Sequence, residues 1–255
     1  MTLKLLGTGT SQGVPVIGCD CTVCRSTDPR DKRLRQSALL SFFGKNILID
    51  AGPDLRQQLL RIDARSLEAI LITHEHVDHC QGFDDVRPFN FSTGRAMPVF
   101  AMPRVIGEIR HRFHYIFGEK IPGLPELELI PLEKNTTLDF GEIKIEAFEV
   151  MHGPLPILGF RIGDLAYITD CKTMGEAETG QLRGIKTLVI NALHHRHHHA
   201  HLNLREALLL IEKIKPEAAY LVHLSHHMGL YAEVNEQLPA GVRLAFDGLE
   251  IGFSV

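Results

Sequence analysis

The sequence predicts an α/β chain in which two sheets pack together with helices outside. Three observations carry this. Short β-type apolar runs recur along the whole chain, a few amphipathic helical patterns lie between them, and the second half repeats the strand-rich texture of the first. The expected strands are residues 3–6, 38–43, 46–49, 69–73, 98–101, 127–131, 143–150, 158–162, 166–169, 187–190, 218–223 and 243–246. The clearest helix presents Leu204, Ala207, Leu208, Ile211 and Ile214 on one face, with Asn203 as its cap, Glu206 at the capping-box position and Pro216 as its stop. Weaker helical patterns cover 54–61, 104–112, 175–183 and 232–237. No Pro/Ser/Gly-rich linker and no internal repeat divides the 255 residues, so the expectation is one domain over 1–255.

Composition narrows the function classes. With 44% hydrophobic and 23% charged residues the chain can bury a sizeable core, which excludes a disordered or collagen-like polymer. A formal net charge of -4 supplies no whole-chain attraction for nucleic acid. No apolar run reaches the roughly 18 to 20 residues of a membrane span, and the amino terminus lacks the basic region and apolar stretch of a signal peptide. The expected location is therefore the cytoplasm, with no membrane partner. In that reducing setting the cluster Cys19-Asp20-Cys21-Thr22-Val23-Cys24 favours metal over disulfide. Free buried thiols or redox chemistry are the alternatives, while Cys80 and Cys171 have no neighbours at ligand spacing and read as small core residues.

Histidine is the anomaly: 15 residues, six of them between His194 and His201. The buried run Ala69-Ile-Leu-Ile-Thr73 feeds directly into His74-Glu75-His76-Val77-Asp78-His79. Residues two apart in extended chain share a face, so His74 and His76 can address one ion, and Asp78 and His79, after the chain turns, a second. Imidazole with carboxylate suits zinc or manganese.

The segment Thr73–His79 resembles the HxHxDH signature of the metallo-β-lactamase superfamily, with Asp50, His152, Asp170 and His223 following other β-like runs in order. The resemblance spans essentially the whole chain. It implies an αββα sandwich of two mixed sheets, with His74, His76 and His152 on one divalent ion, Asp78, His79 and His223 on the other, Asp170 bridging, and Asp50 orienting the ligand loop. Gly7-Thr-Gly-Thr-Ser-Gln-Gly, which no Gly-Lys-Ser/Thr follows and which is therefore not a P-loop, together with Cys19, Cys21 and Cys24, is similar to the phosphoribosyl 1,2-cyclic phosphate phosphodiesterases of the carbon–phosphorus lyase pathway. That likeness adds a structural zinc closed by His226.

The activity implied is hydrolysis of small anionic phosphodiesters, cyclic ribosyl phosphates among them, by attack of a metal-bound hydroxide. Asp78 is part of the catalytic set, and the general acid lies in the histidine-rich loop, at His199 by ungapped alignment, with His198 and His201 as rivals. His201 stands where the phosphodiesterases carry an acidic residue. A tRNA 3′-processing endonuclease and a non-catalytic coenzyme-biosynthesis protein are the rival readings, and a homodimer is left open.

Overall fold

The computed structural model describes residues 1–119 and 121–255. One seven-stranded sheet holds β1 (Thr2–Gly7), β2 (Ser37–Phe42), β3 (Lys45–Ile49), β4 (Ala69–Leu71), β5 (Met97–Ala101) and β6 (Leu127–Pro131), with β14 (Glu250–Gly252) beside β1 at the opposite edge from β6. The other holds, in spatial order, β7 (Thr137–Asp139), β8 (Lys144–His152), β9 (Leu155–Ile162), β10 (Leu165–Tyr167), β11 (Thr187–Asn191), β12 (Ala218–Val222) and β13 (Val242–Leu244). Each sheet runs antiparallel and then turns parallel: from β3 onward in the first, from β10 onward in the second. Both are mixed sheets, as the resemblance implies.

The helices are α1 (Thr22–Arg25), α2 (Leu55–Arg61), α3 (Val77–Cys80), α4 (Arg87–Thr93), α5 (Pro103–Arg112), α6 (Glu176–Gln181), α7 (Leu204–Ile214) and α8 (Tyr231–Gln237). The burial pattern makes the layering explicit. Leu3, Leu5, Leu40, Ile47 and Ile49 of the first sheet meet Ile145, Leu158, Phe160 and Tyr167 of the second in a central core. The opposite face of the first sheet covers itself with Leu55, Leu59, Val105 and Ile109 of its helices. On the second sheet Ala207, Ile211 and Ile214 of α7 do the same. Buried on both faces, the parallel strands read as continuous apolar runs, which is why pattern alone located them.

The α7 capping box forms as expected: Asn203 Oδ1 accepts from Glu206 N at 2.9 Å, and Glu206 Oε2 accepts from Asn203 N at 2.9 Å. Lys215 then takes the left-handed conformation at φ 59° that closes the helix before Pro216. Two strands escape sequence reading, β7 and β14, because each is a three-residue edge strand with at most one buried position. Three helices escape as well: α1 and α3 have four residues each, too short for periodicity, and α4 is an Arg-Pro-Phe-Asn-Phe-Ser-Thr run of poor helix formers. The expected strand at 69–73 stops at Leu71, since Thr73 N leaves the ladder to bond Asp50. Among the described residues no helix is long and apolar enough to cross a membrane.

Candidate active site

Ligand-bearing loops of an open α/β sheet gather at the carboxyl ends of its parallel strands. Asp50 follows β3, His74 and His76 follow β4, Asp170 follows β10, and His223 follows β12. His152 closes β8, in the same sheet as the strands that precede Asp170 and His223 and facing the sheet of β3 and β4. Asp50, Asp170 and His223 all adopt left-handed backbone, at φ 63°, 54° and 54°. For non-glycine residues that conformation costs energy and persists only where the surroundings enforce it, and it concentrates at functional sites. Gly52 lets the Asp50 turn pack on the ligand loop, because a Cβ there would lie 2.1 Å from the Asp78 carbonyl oxygen.

Two side-chain groups with separate members result, and a third, His152, Asp170 and His201, overlaps both. His74, His76 and His152 form one; Asp78, His79, Asp170 and His223 form the other, and within each the ligand atoms lie inside 4.8 Å of one another. Asp170 sits between them, with Oδ1 3.0 Å from His223 Nδ1 and 3.4 Å from His79 Nε2, and Oδ2 3.9 Å from His74 Nε2. Asp78 Oδ2 is 3.2 Å from His79 Nε2.

The nitrogens that remain bare point to what belongs here. His79 Nε2, His223 Nδ1 and His201 Nδ1 are buried without a hydrogen bond, a cost on the order of 1–3 kcal/mol each unless something fills the space between them. On His79, His152 and His74 the Nδ1 nitrogen is engaged. His79 Nδ1 donates to Asp50 Oδ2 at 2.7 Å and His152 Nδ1 donates to Ala200 O at 2.8 Å. His74 Nδ1 lies 2.9 Å from Thr73 Oγ1, whose hydroxyl is 2.9 Å from Asp50 Oδ2. These bonds fix the tautomer that leaves the inward nitrogen free to ligate. A pair of divalent cations fits this donor set.

Electrostatics follow the same logic. Burial lowers the proton affinity of His74, His76 and His223, so they offer neutral imidazoles. Burial by itself would raise the Asp170 carboxyl, yet His223 and His79 hold it well below the usual range. His79 goes the other way: burial opposes its charge, but Asp170, Asp78 and Asp50 raise it.

The cysteine cluster closes separately. Sγ of Cys19, Cys21 and Cys24 lie 3.3, 3.4 and 3.5 Å from His226 Nδ1, close to the edge of about 3.5 Å that a tetrahedron with bonds of about 2.3 Å to sulfur and 2.05 Å to nitrogen requires. A backbone N–H from Cys24 leads in lowering the Cys21 thiol, against burial and helped by His226, to about 6, while burial pushes Cys24 up to about 11. Cys80 and Cys171 are buried apart from this cluster.

The histidine-rich loop divides. His201 turns inward: Nδ1 is 3.8 Å from Asp170 Oδ2, and its ring lies 4.5 Å from that of His152 and 4.9 Å from that of His223. Burial first, and His223 next, push it down to about 2. His198 is half-buried behind it at 5.0 Å, and His199 is exposed, tilted against His198 at 4.5 Å. His195 Nε2 donates to Met228 O at 2.7 Å, remote from the centre. All the sequence-selected positions other than His199 thus have a side chain in one of the clusters or beside it. The cleft they line holds about 370 Å³, with Ser11, Val77, His198 and His199 at its mouth. A larger cavity of about 660 Å³ lies beside α4 among Phe91, Ile116, Pro122 and Leu124, with no histidine, cysteine or aspartate among the described residues of its wall.

Sequence reading passed over Thr73, Asn191 and Gln36. Asn191 brackets the Asp170 turn, accepting from Cys171 N at 2.7 Å and donating to Cys171 O at 2.9 Å. Gln36 accepts from His223 N at 3.3 Å and donates to Tyr167 OH at 2.8 Å. Thr73 could have been found by adjacency to the motif; Gln36 stands 187 positions from its partner and has no local signal.

Comparison with known proteins agrees with this geometry. Residues 45–224 match the model of the beta-lactamase superfamily domain. A solved diphosphatase of the PhnP family is 40% identical, superposes with a TM-score of 0.93, and covers all of this chain and 98% of its own. This chain belongs to the beta-lactamase superfamily, in its PhnP family. Zinc-bound PqqB from Methylobacterium extorquens shares the fold at 19% identity, with a TM-score of 0.82 over 99% of this PhnP-family chain and all of its own. A Porphyromonas gingivalis protein named octanoyltransferase is 43% identical over 98% of the chain, which spans 51% of that protein's length. A ribonuclease Z from Bradyrhizobium sp. is 34% identical over 52% of the chain, a match spanning 45% of that enzyme.

Proposed function

We propose that this PhnP-family protein is a dinuclear metallo-hydrolase of small phosphodiesters, five-membered cyclic ribosyl phosphates among them. One observation carries the reading: Asp170 lies between two ligand groups, one with His79 Nε2 and His223 Nδ1 bare and the other with His74 Nε2 and His76 Nδ1 only 3.0 Å apart, at the floor of a cleft sized for one compact anion. Bound there, two divalent ions would lower the pKa of a water and grip phosphoryl oxygens; zinc and manganese both suit the imidazole and carboxylate donors.

The chain's own residues do the rest. Asp78 and Asp170 offset only part of the charge of two divalent ions, leaving the centre attractive to a phosphodiester monoanion. Asp50 holds His79 directly, and His74 through Thr73, in their ligating tautomers. His201 is the one member of the 198–201 group that faces Asp170, so it replaces His199 as our candidate general acid; burial keeps it neutral in the free site, and a bound phosphodiester anion beside it is what would raise its proton affinity for that role. The Cys19/Cys21/Cys24/His226 set is coordinatively closed and serves as a zinc staple tying the amino-terminal loop to the turn after His223. The backbone reinforces that tie, with Thr10 N donating to Leu224 O at 3.1 Å and Leu224 N to Thr8 O at 2.9 Å.

A second reading, cleavage of a diphosphate bond, is favoured by the full-length likeness to the PhnP-family diphosphatase. The test is a side-by-side assay of a cyclic ribosyl phosphate, bis-nitrophenyl phosphate, a nucleoside diphosphate ester and precursor tRNA under matched metal and salt. The first two should turn over to monoesters. Turnover of the diphosphate alone would select the second reading, and tRNA cleavage at a defined 3′ position with the small diesters untouched would overturn both.

A further inference from the structure

Between the two histidines of the ligand loop stands Glu75, which the chemistry above does not use. In extended chain it must face away from the side shared by His74 and His76. There it meets α5. Arg104 Nε donates to Glu75 Oε1 at 2.9 Å and Nη2 donates to Oε2 at 3.0 Å, a two-pronged pair with its carboxylate end largely buried. The same Nη2 donates to Pro156 O at 2.6 Å. Pro156 lies in β9, opposite Met151 in the hairpin whose preceding pair is His152 and Leu155. Two turns further along α5, Arg112 donates to the Glu75 carbonyl and to Cys80 Sγ, and that thiol bonds the carbonyls of Glu75 and His76 at 3.2 Å.

One guanidinium therefore touches both of the segments that build the three-histidine group: the loop of the first sheet that carries His74 and His76, and the hairpin of the second that carries His152. We propose that Arg104, acting through Glu75 and the Pro156 carbonyl, is a positioning residue that sets the spacing between the His74/His76 pair and His152, and so the affinity of that half of the centre for its ion. The planar fork is what makes this work, since an ammonium cannot reach two carboxylate oxygens and a carbonyl in fixed directions. The other half has holders that Arg104 does not touch: His79 by Asp50, which also reaches His74 through Thr73, the Asp170 turn by Asn191, and the His223 backbone by Gln36.

That asymmetry gives the test, which concerns metal binding and needs no substrate. Arg104→Ala, Arg104→Lys, Glu75→Ala and the Glu75→Ala/Arg104→Ala double variant are stripped and titrated with Co2+ against a competing chelator. Thiolate-to-cobalt absorption reports the cysteine site, and the weaker visible bands report the two active-site ions. Arg104→Ala should weaken one active-site ion by about 10- to 100-fold, the range for losing an outer partner of a ligand, while the other ion and the thiolate band stay near wild type; the apo-protein Tm falls because the Glu75 carboxylate is left unpaired, and recovers in part in the double variant. Arg104→Lys should resemble the alanine variant in metal affinity, and adding Arg104→Ala to Glu75→Ala should cost little more. Unchanged affinity for both ions would overturn the proposal. So would a parallel loss at all three sites, which marks a fold-level role, or full recovery with lysine, which would make charge alone sufficient.

Discussion

Replacing Asp50 tests how the ligand loop is held. The side chain is fully buried and takes three donors: Thr73 N at 2.8 Å, Thr73 Oγ1 at 2.9 Å and His79 Nδ1 at 2.7 Å. In Asp50→Ala all three lose their acceptor at once. At roughly 1 kcal/mol per orphaned donor, the low end of the usual cost, the apo protein loses about 3 kcal/mol. For a chain of this size that lowers Tm by about 6 to 12 °C. Asp50→Asn separates stability from metal binding. The amide keeps the shape, but only one of its two ends can accept, so either Thr73 or the His79 Nδ1–H meets an NH2 group. The relief is for His79 to move its proton to Nε2, the nitrogen that must ligate. Asn should therefore cost little Tm and yet weaken metal binding by about 10- to 100-fold. The assays are thermal unfolding of the stripped protein and Zn2+ titration against a chelator. An Asn variant that binds both active-site ions with wild-type affinity would refute the tautomer argument, and an Ala variant with unchanged apo Tm would refute the donor count.

Three more expectations follow from the geometry. Cys19→Ser or His226→Ala should remove one tightly held ion per chain and loosen the 8–24 loop in hydrogen exchange while the His/Asp pair still loads, and unchanged metal stoichiometry would argue against the zinc staple. His201→Ala should keep its metal content and lose about 10²- to 10⁴-fold in kcat on a diester with an alkoxide leaving group, far less with nitrophenolate; His199→Ala should sit near wild type, and the reverse ranking returns the acid to His199. Asp247 gives a pH dependence. Burial leads in raising its carboxyl to about 6, against the Thr8 and Leu34 bonds and Arg33. A folded pKa above the unfolded one gives stability that is complete below about pH 4 and is lost as pH rises through about 6. The stability of Asp247→Asn relative to wild type should accordingly rise between pH 4 and 7 by up to about 3 kcal/mol in urea melts, and a flat difference would show that the folded carboxyl is not raised.

Most strands of both sheets and the candidate ligand clusters are legible in the sequence, because both signals are local. A buried parallel strand is an apolar run, and a loop at its carboxyl end that carries His-Glu-His-Val-Asp-His states its chemistry in six residues. The α7 cap is legible for the same reason, since its donor and acceptor stand three positions apart. Short edge strands such as β7 and β14 carry too few buried side chains to register. What only the tertiary structure decided are the relations between distant segments. Six histidines in eight positions are equivalent in a sequence window; the path of the loop from β11 to α7 turns His201 toward Asp170 and leaves His199 in solvent. Gln36 beneath His223 and Arg104 between Glu75 and Pro156 have no sequence signature. Their partners are brought to them by the packing of two sheets, and a contact made by packing leaves no periodicity in the chain.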